Sequence, residues 1–320
     1  MLRMTVDPWS ASYGVAFDMP DDGPADRSPA AVDTDVEMPA DEWRPMMPPS
    51  DAATPDVVAF IDGVRRVDAN VWLDDEDGTS YPGIAASFAA GVVRCDRAAR
   101  TAEVVTPTIE RGIFTYATDL TSIGAPPERY AAYPIERRSP NALVNSVQAK
   151  MTAIEKSLSE ATVPTVDLLV ADGPLRGRVH STHMIGYVKT HQSQYLPDRL
   201  AAVVTGLHPG QRSPIFTIES QWPLHSWYLR LPGPLGSAWA GIVRIECTGE
   251  LSIDAAVELA DVSTATLPRF ASTPYKDARA PQNLVPIAGL EKRLRALLGD
   301  SRLLHRTLVR NASLATGVPA

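Results

Sequence analysis

Asp56-Val57-Val58-Ala59-Phe60-Ile61-Asp62-Gly63 and Val166-Asp167-Leu168-Leu169-Val170-Ala171-Asp172-Gly173 are the two stretches that decide the fold of this chain. Each is a short apolar run closed by Asp-Gly. A run of this kind fits a strand buried on both faces, because an exposed face would call for alternation with polar residues. The closing aspartate then stands where the strand leaves the sheet, and the glycine behind it lets backbone or substrate come close. Asp-Gly after a strand is also an ordinary turn signal, and for either run alone that reading stays open. Two such runs with a helix between them favour a cleft lined by both aspartates.

The surroundings extend the pattern. Residues 64–73 continue the first strand, Asp74 to Gly78 is an acidic turn, and Gly83–Arg94 and Ala102–Thr106 read as two further strands of an antiparallel meander. After a loop rich in Pro and Arg (124–139), Ser139 can cap a helix with Pro140 in its first position. Leu143, Val147, Met151, Ile154 and Leu158 form its apolar stripe, and Pro164 ends it. The order strand–strand–strand–helix–strand opens an RNase H-like fold: α/β, with a mixed sheet flanked by helices. Beyond it, His183–Lys189, Ile215–Glu219, Ser226–Leu231 and Gly241–Cys247 read as strands. Ser252–Leu259, Val285–Leu298 and Ser301–Arg310 read as helices.

The chain divides at about residue 55. Residues 1–54 are acidic and proline-rich without sustained periodicity, which predicts a disordered tail; residues 55–320 form the folded domain. Trp9 and Trp43 are candidate docking anchors in that tail, and a merely solubilising tail is the alternative. Residues 1–56 carry twelve Asp/Glu against three Lys/Arg, while the rest carries 26 acids and 27 bases. The net charge of −8 therefore belongs to the tail, and a near-neutral body neither points to nor excludes a nucleic-acid partner. Cys95 and Cys247 form no CxxC or Cys/His cluster, which argues against a disulfide framework or structural zinc. No apolar run approaches the ~18 residues of a membrane span, and the first residues lack a signal-peptide plan, so a cytoplasmic setting is expected.

Carboxylates gathered at strand ends suit divalent ions with oxygen preference, Mn²⁺ or Mg²⁺. Phosphodiester hydrolysis with two such ions, about 3.5–4 Å apart, needs several carboxylates converging on one point. Asp62 and Asp172 sit at strand ends, and Glu155 flanks the apolar stripe of the intervening helix. Lys189 at a later strand end is a candidate phosphate contact, with a solvated lysine as the alternative. Arg65, Arg66, Arg279 and the Arg176/Arg178 pair are candidate DNA contacts, each of which could equally be a surface residue. Arg244 and Glu246 share one strand face, as a structural ion pair or a substrate clamp. The histidines are scattered, and no G-x-S-x-G, GxGxxG or GxxxxGK[ST] occurs.

Taken in order, several motifs resemble the NurA family of nucleases: Phe60-Ile61-Asp62-Gly63-Val64-Arg65-Arg66, Leu168 to Leu175 around Asp172-Gly173, the Ile185-Gly186-Tyr187-Val188-Lys189 strand, and Ile242-Val243-Arg244-Ile245-Glu246. No single motif is specific; their order and spacing over residues 56–310 carry the resemblance. It implies a Mn²⁺-dependent exo- or endonuclease in DNA end resection, a homodimer docked on a hexameric HerA-type ATPase translocase. It also implies Asp62, Glu155 and Asp172 as metal ligands. The family's Ala-His pair near the C-terminal helix is absent from Lys276-Asp277-Ala278-Arg279-Ala280-Pro281-Gln282-Asn283-Leu284. Either Asp277 supplies that ligand or it is a turn aspartate at an altered site. The alternative function is a catalytically impaired, NurA-like adaptor subunit of the ATPase. A nucleotide-binding protein of the actin class, which shares the core topology, lacks its phosphate loops here.

Overall fold

The computed structural model describes residues 2–7, 26–27, 30–139, 141–175, 181–190, 193–219, 222–233 and 236–316. Strands β1 (Arg3–Val6), β2 (Asp26–Arg27) and β3 (Ala31–Asp33) come first. The meander follows as β4 (Val57–Asp74), close to the expected span, and β5 (Ser80–Asp96) and β6 (Thr101–Thr115), both running further than their sequence signals. Next are β7 (Ala131–Pro134), α1 (Ala142–Thr162), β8 (Leu168–Asp172), β9 (Met184–Val188), β10 (Ser193–Gln194) and α2 (Asp198–Thr205). The chain closes with β11 (Phe216–Glu219), β12 (Leu224–Arg230), β13 (Ile242–Thr248), α3 (Ile253–Thr266), α4 (Val285–Leu297) and α5 (Ser301–Thr316). No helix among the described residues is long and apolar enough to cross a membrane.

One sheet runs in the order β3-β11-β12-β13-β9-β8-β4-β5-β6-β7, with β1 paired to the far end of β4. At its centre β8 lies parallel to both β4 and β9, while β5 and β6 continue antiparallel beyond β4. This is the expected α/β class: a mixed sheet flanked by helices.

The two faces of the sheet are covered by different helices. Side chains alternate across a strand. Val58 and Phe60 of β4, with Leu168 and Val170 of β8, point into a core shared with Leu290 and Leu294 of α4 and Ala256 and Ala260 of α3. Phe60 meets Phe270 edge-on, ring centroids 4.8 Å apart. Ala59, Ile61, Leu169 and Ala171 point the other way, toward Leu158 of α1. Helix α1 keeps the predicted stripe, with Val147, Met151 and Leu158 buried and Leu143 and Ile154 packed beside them. Its start differs from the Ser139–Pro140 cap. The helix begins at Ala142 after Asn141, which holds the left-handed conformation (φ 62°) that asparagine tolerates better than most residues. Ser139 contributes only its carbonyl, accepting from the Ala142 N–H at 3.1 Å, and Pro140 lies outside the described residues.

The described parts of residues 1–54 also differ from the tail expected there. β1 pairs with β4, and β3 caps the sheet edge at β11. Trp43 is buried near Phe216, its indole N–H donating to the Thr34 carbonyl at 3.0 Å. The Glu37 carboxylate accepts two 2.8 Å hydrogen bonds from Arg212, whose Nε donates to Asp261 at 2.8 Å. A sheet edge supplies backbone partners and a buried guanidinium supplies a counter-charge, so this segment needs no periodicity of its own. Trp9 lies outside the described residues.

Candidate metal centre

The register of two parallel strands builds the centre. Ile61 pairs with Ala171, which brings the next residues, Asp62 and Asp172, side by side on the face that α4 covers. Neighbouring strands lie about 4.8 Å apart, so two carboxylates in this register cannot avoid each other. Glu291 joins them from α4. One oxygen of each of Asp62, Asp172 and Glu291 lies within 4.8 Å of the others.

What these carboxylates lack is as telling as where they stand. Buried polar atoms are normally paired, and an unpaired one calls for a reason. Asp68, buried on the same strand, is fully engaged by Arg66, Ser87 and Tyr130. Glu246 accepts from the Leu175 N–H and from Arg244. By contrast, Asp62 Oδ2 and Asp172 Oδ1 are buried with no hydrogen-bond partner among the described residues. Burial, and then the charge of Asp172, hold the Asp62 carboxyl well above the usual range, with Lys189 offsetting part of the rise. Burial also raises Asp172, against the opposing pull of Lys189. Two orphaned oxygens beside a third carboxylate form an oxygen-rich donor set that fits a hard divalent cation.

Lys189 and Arg279 pair with two of these carboxylates. Lys189 Nζ donates to Asp172 Oδ2 at 2.7 Å and to Asn283 Oδ1 at 3.2 Å. Asn283, fully buried, donates in turn to Asp277. Asp277 is thus tied to Asn283 and to the Arg279 backbone N–H, and lies outside the carboxylate cluster. Burial opposes its ionisation, but the Asn283 and Arg279 contacts prevail and hold its carboxyl below the usual range. Arg279 Nη2 meets Glu291 Oε2 at 3.0 Å. A cation bound by Glu291 must compete with this half-exposed pair. Arg279→Ala is therefore expected to tighten divalent-ion binding about two- to fivefold, read by titration calorimetry. Unchanged affinity would show that the pair does not compete.

Glu155 stands on the opposite face. It is buried on α1 beneath Gly63, where an added Cβ would come within 2.6 Å of its Oε1 and 2.8 Å of Met151. It is adjacent to the centre through one peptide unit but is not among the three clustered carboxylates. Gly63→Ala is expected to destabilise the protein by about 1–3 kcal/mol through this overpacking, measured by urea unfolding. Wild-type stability would mean that α1 yields freely.

The candidate DNA contacts divide. Arg65 is exposed on β4, whereas Arg66 is tied to Asp68 and to the Leu298 and Gly299 carbonyls. Arg176 and Arg178 lie outside the described residues. Arg244 and Glu246 form a buried ion pair on the α1 side of the sheet.

Sequence reasoning missed Glu291. It directly follows Leu290 of the buried Ile287, Leu290 and Leu294 stripe, at the edge of the helix face, the relation Glu155 bears to Ile154. That signal was available, although the stripe does not say which end of the sheet the helix edge reaches.

No protein-family model matches the chain, and no curated protein matches it. Among solved structures it is similar to the NurA nuclease from Sulfolobus solfataricus, with a TM-score of 0.52 and 12% identity, over 86% of this chain and 88% of that one. The catalytic domain of human endonuclease V aligns at a TM-score of 0.36 and 16% identity, over 77% and 85% of the two chains. Endonuclease V of Ciona intestinalis, bound to a DNA 24mer, aligns at 0.34 and 10%, over 76% and 86%. The likeness to the NurA nuclease is one of architecture: the chain shares its overall fold.

Proposed function

We propose that this chain is a divalent-metal-dependent nuclease that cleaves DNA. The observation that carries the reading is the pair of buried oxygens on Asp62 and Asp172 that have no partner among the described residues, on carboxylates clustered with Glu291. A structural carboxylate in that setting would have been paired, as Asp68 is. Asp62, Asp172 and Glu291 would hold the ion, Mn²⁺ or Mg²⁺, and Glu155, against Gly63 on the other side of the strand, is the candidate to contribute to a second. Bound there, the cation supplies Lewis-acid polarisation of a phosphodiester and makes water more acidic. Lys189 fixes the orientation of Asp172 and offers a positive charge where a phosphate would approach. Arg279 flanks that approach and is available to a phosphate once Glu291 turns to the cation, whereas Arg65, which pairs with Phe88, lies on the α1 face of β4.

The NurA-like fold supports DNA as the substrate and end processing as the task. A homodimer working in the cytoplasm with a HerA-type hexameric ATPase belongs to the same reading. End-labelled linear DNA incubated with Mn²⁺, with and without chelator and a cognate HerA-type translocase, tests it. Chelator-sensitive cleavage is the expected result. No cleavage in any arm, together with no Mn²⁺ bound, would overturn it in favour of the adaptor.

A further inference from the structure

We propose that a second pocket, on the sheet face opposite the metal centre, binds one unpaired nucleobase of a DNA single strand. The identity of the polymer rests on the nuclease reading; the pocket itself is argued from its lining. Cross-strand neighbours share a face, so Arg244 opposite Val188, and Glu246 opposite Gly186, point away from the side of Tyr187 and Asp172. On that far side a cavity of about 400 Å³ opens between Pro174, Val188, Ser193, Tyr195, Trp222 and Arg244. Its size falls in the range of about 300–1,000 Å³ typical of small-ligand sites.

The lining has the chemistry of a stacking site. The Arg244 guanidinium lies 4.8 Å over the Tyr195 ring. Arg244 is only 7% exposed, fixed by Glu246 and by the Ser226 hydroxyl at 3.2 Å. Glu246, 1% exposed, is fixed in turn by the Leu175 N–H at 2.6 Å. The buried charges thus cancel each other, which suits a neutral ring better than a phosphate. Trp222 keeps 42% of its surface exposed at the pocket's edge. Every base presents a π-face to such aromatic and guanidinium planes, and only an unstacked base can reach them.

The pocket is also within reach of the metal centre. Pro174 lines it and stands two residues after Asp172, a span of at most about 7 Å of chain. The Leu175 N–H that anchors Glu246 belongs to the same turn. A strand whose phosphate sits at Asp172 can therefore pass the end of β8 and seat a nearby base on the other face.

Fluorescence anisotropy in EDTA, where nothing is cleaved, tests the proposal with a short oligothymidylate and an abasic strand of equal length. The intact strand is expected to bind about tenfold more tightly. Tyr195→Ala and Trp222→Ala should each bring it most of the way down to the abasic affinity. Equal binding of the two strands by the wild type, which needs no variant, would overturn the proposal, as would a preference that survives both substitutions. Base preference without any cleavage would sink the nuclease reading alone. Cleavage without base preference would sink the pocket alone.

Discussion

Replacing Asp62 or Asp172 by alanine is expected to lower metal-dependent DNA cleavage by about 1,000-fold or more, since Lewis-acid stabilisation contributes several kcal/mol at ~1.4 kcal/mol per tenfold. Glu155→Gln, one peptide unit away on the other face, is expected to lose less, on the order of 10–100-fold. The same site predicts an opposite effect on stability. Burial and the Asp172 charge raise the Asp62 carboxyl above its usual value. Such a group is favoured protonated in the fold, so its penalty is absent at acid pH and grows as pH rises through the raised value. Asp62→Asn removes that penalty and should stabilise the metal-free protein at pH 7 by about 1 kcal/mol, with a smaller gain in acid. Thermal unfolding in chelator at the two pH values reads this. An Asp62→Asn protein less stable than wild type at neutral pH would mark the residue as structural.

Arg212→Ala is expected to cost about 3–5 kcal/mol, because it strands the Glu37 and Asp261 carboxylates without their counter-charge. Arg212 itself is 1% exposed, and its Nη1 also donates to the Ser213 carbonyl. Glu37 further accepts from the Ile215 N–H at 2.7 Å, so one buried junction ties residues 30–46 to β11, β12 and α3. Denaturant unfolding measures the loss. Limited proteolysis should show the N-terminal segment cut first in the variant and protected in the wild type. A variant of unchanged stability, or one cut elsewhere first, would show that the junction does not hold this segment.

Much of this architecture was legible because its signals are local. Apolar runs closed by Asp-Gly located β4 and β8, and the Val147, Met151 and Leu158 stripe located α1. Parallel pairing of β4 and β8 then follows from a helical crossover, and it places Asp62 beside Asp172. Which face each helix covers is not local. Glu155 and Glu291 flank equivalent stripes, yet α4 covers the face to which Asp62 points and α1 covers the other. Asp277 stood closer to the expected motif in sequence, but it is taken up by Asn283 and the Arg279 N–H and stays outside the carboxylate cluster. The N-terminal segment was illegible for a similar reason. Glu37 and Trp43 find Arg212 and Phe216 across more than 170 residues of chain, and no periodicity records such partners.

The most direct test of the three-carboxylate centre is a Mn²⁺ titration of the intact protein followed by electron paramagnetic resonance. Saturable binding is predicted for the wild type, lost in Asp62→Asn and Asp172→Asn and weakened in Glu291→Gln, with each variant still folded. No saturable binding by the wild type, or binding indifferent to all three substitutions, would contradict the account.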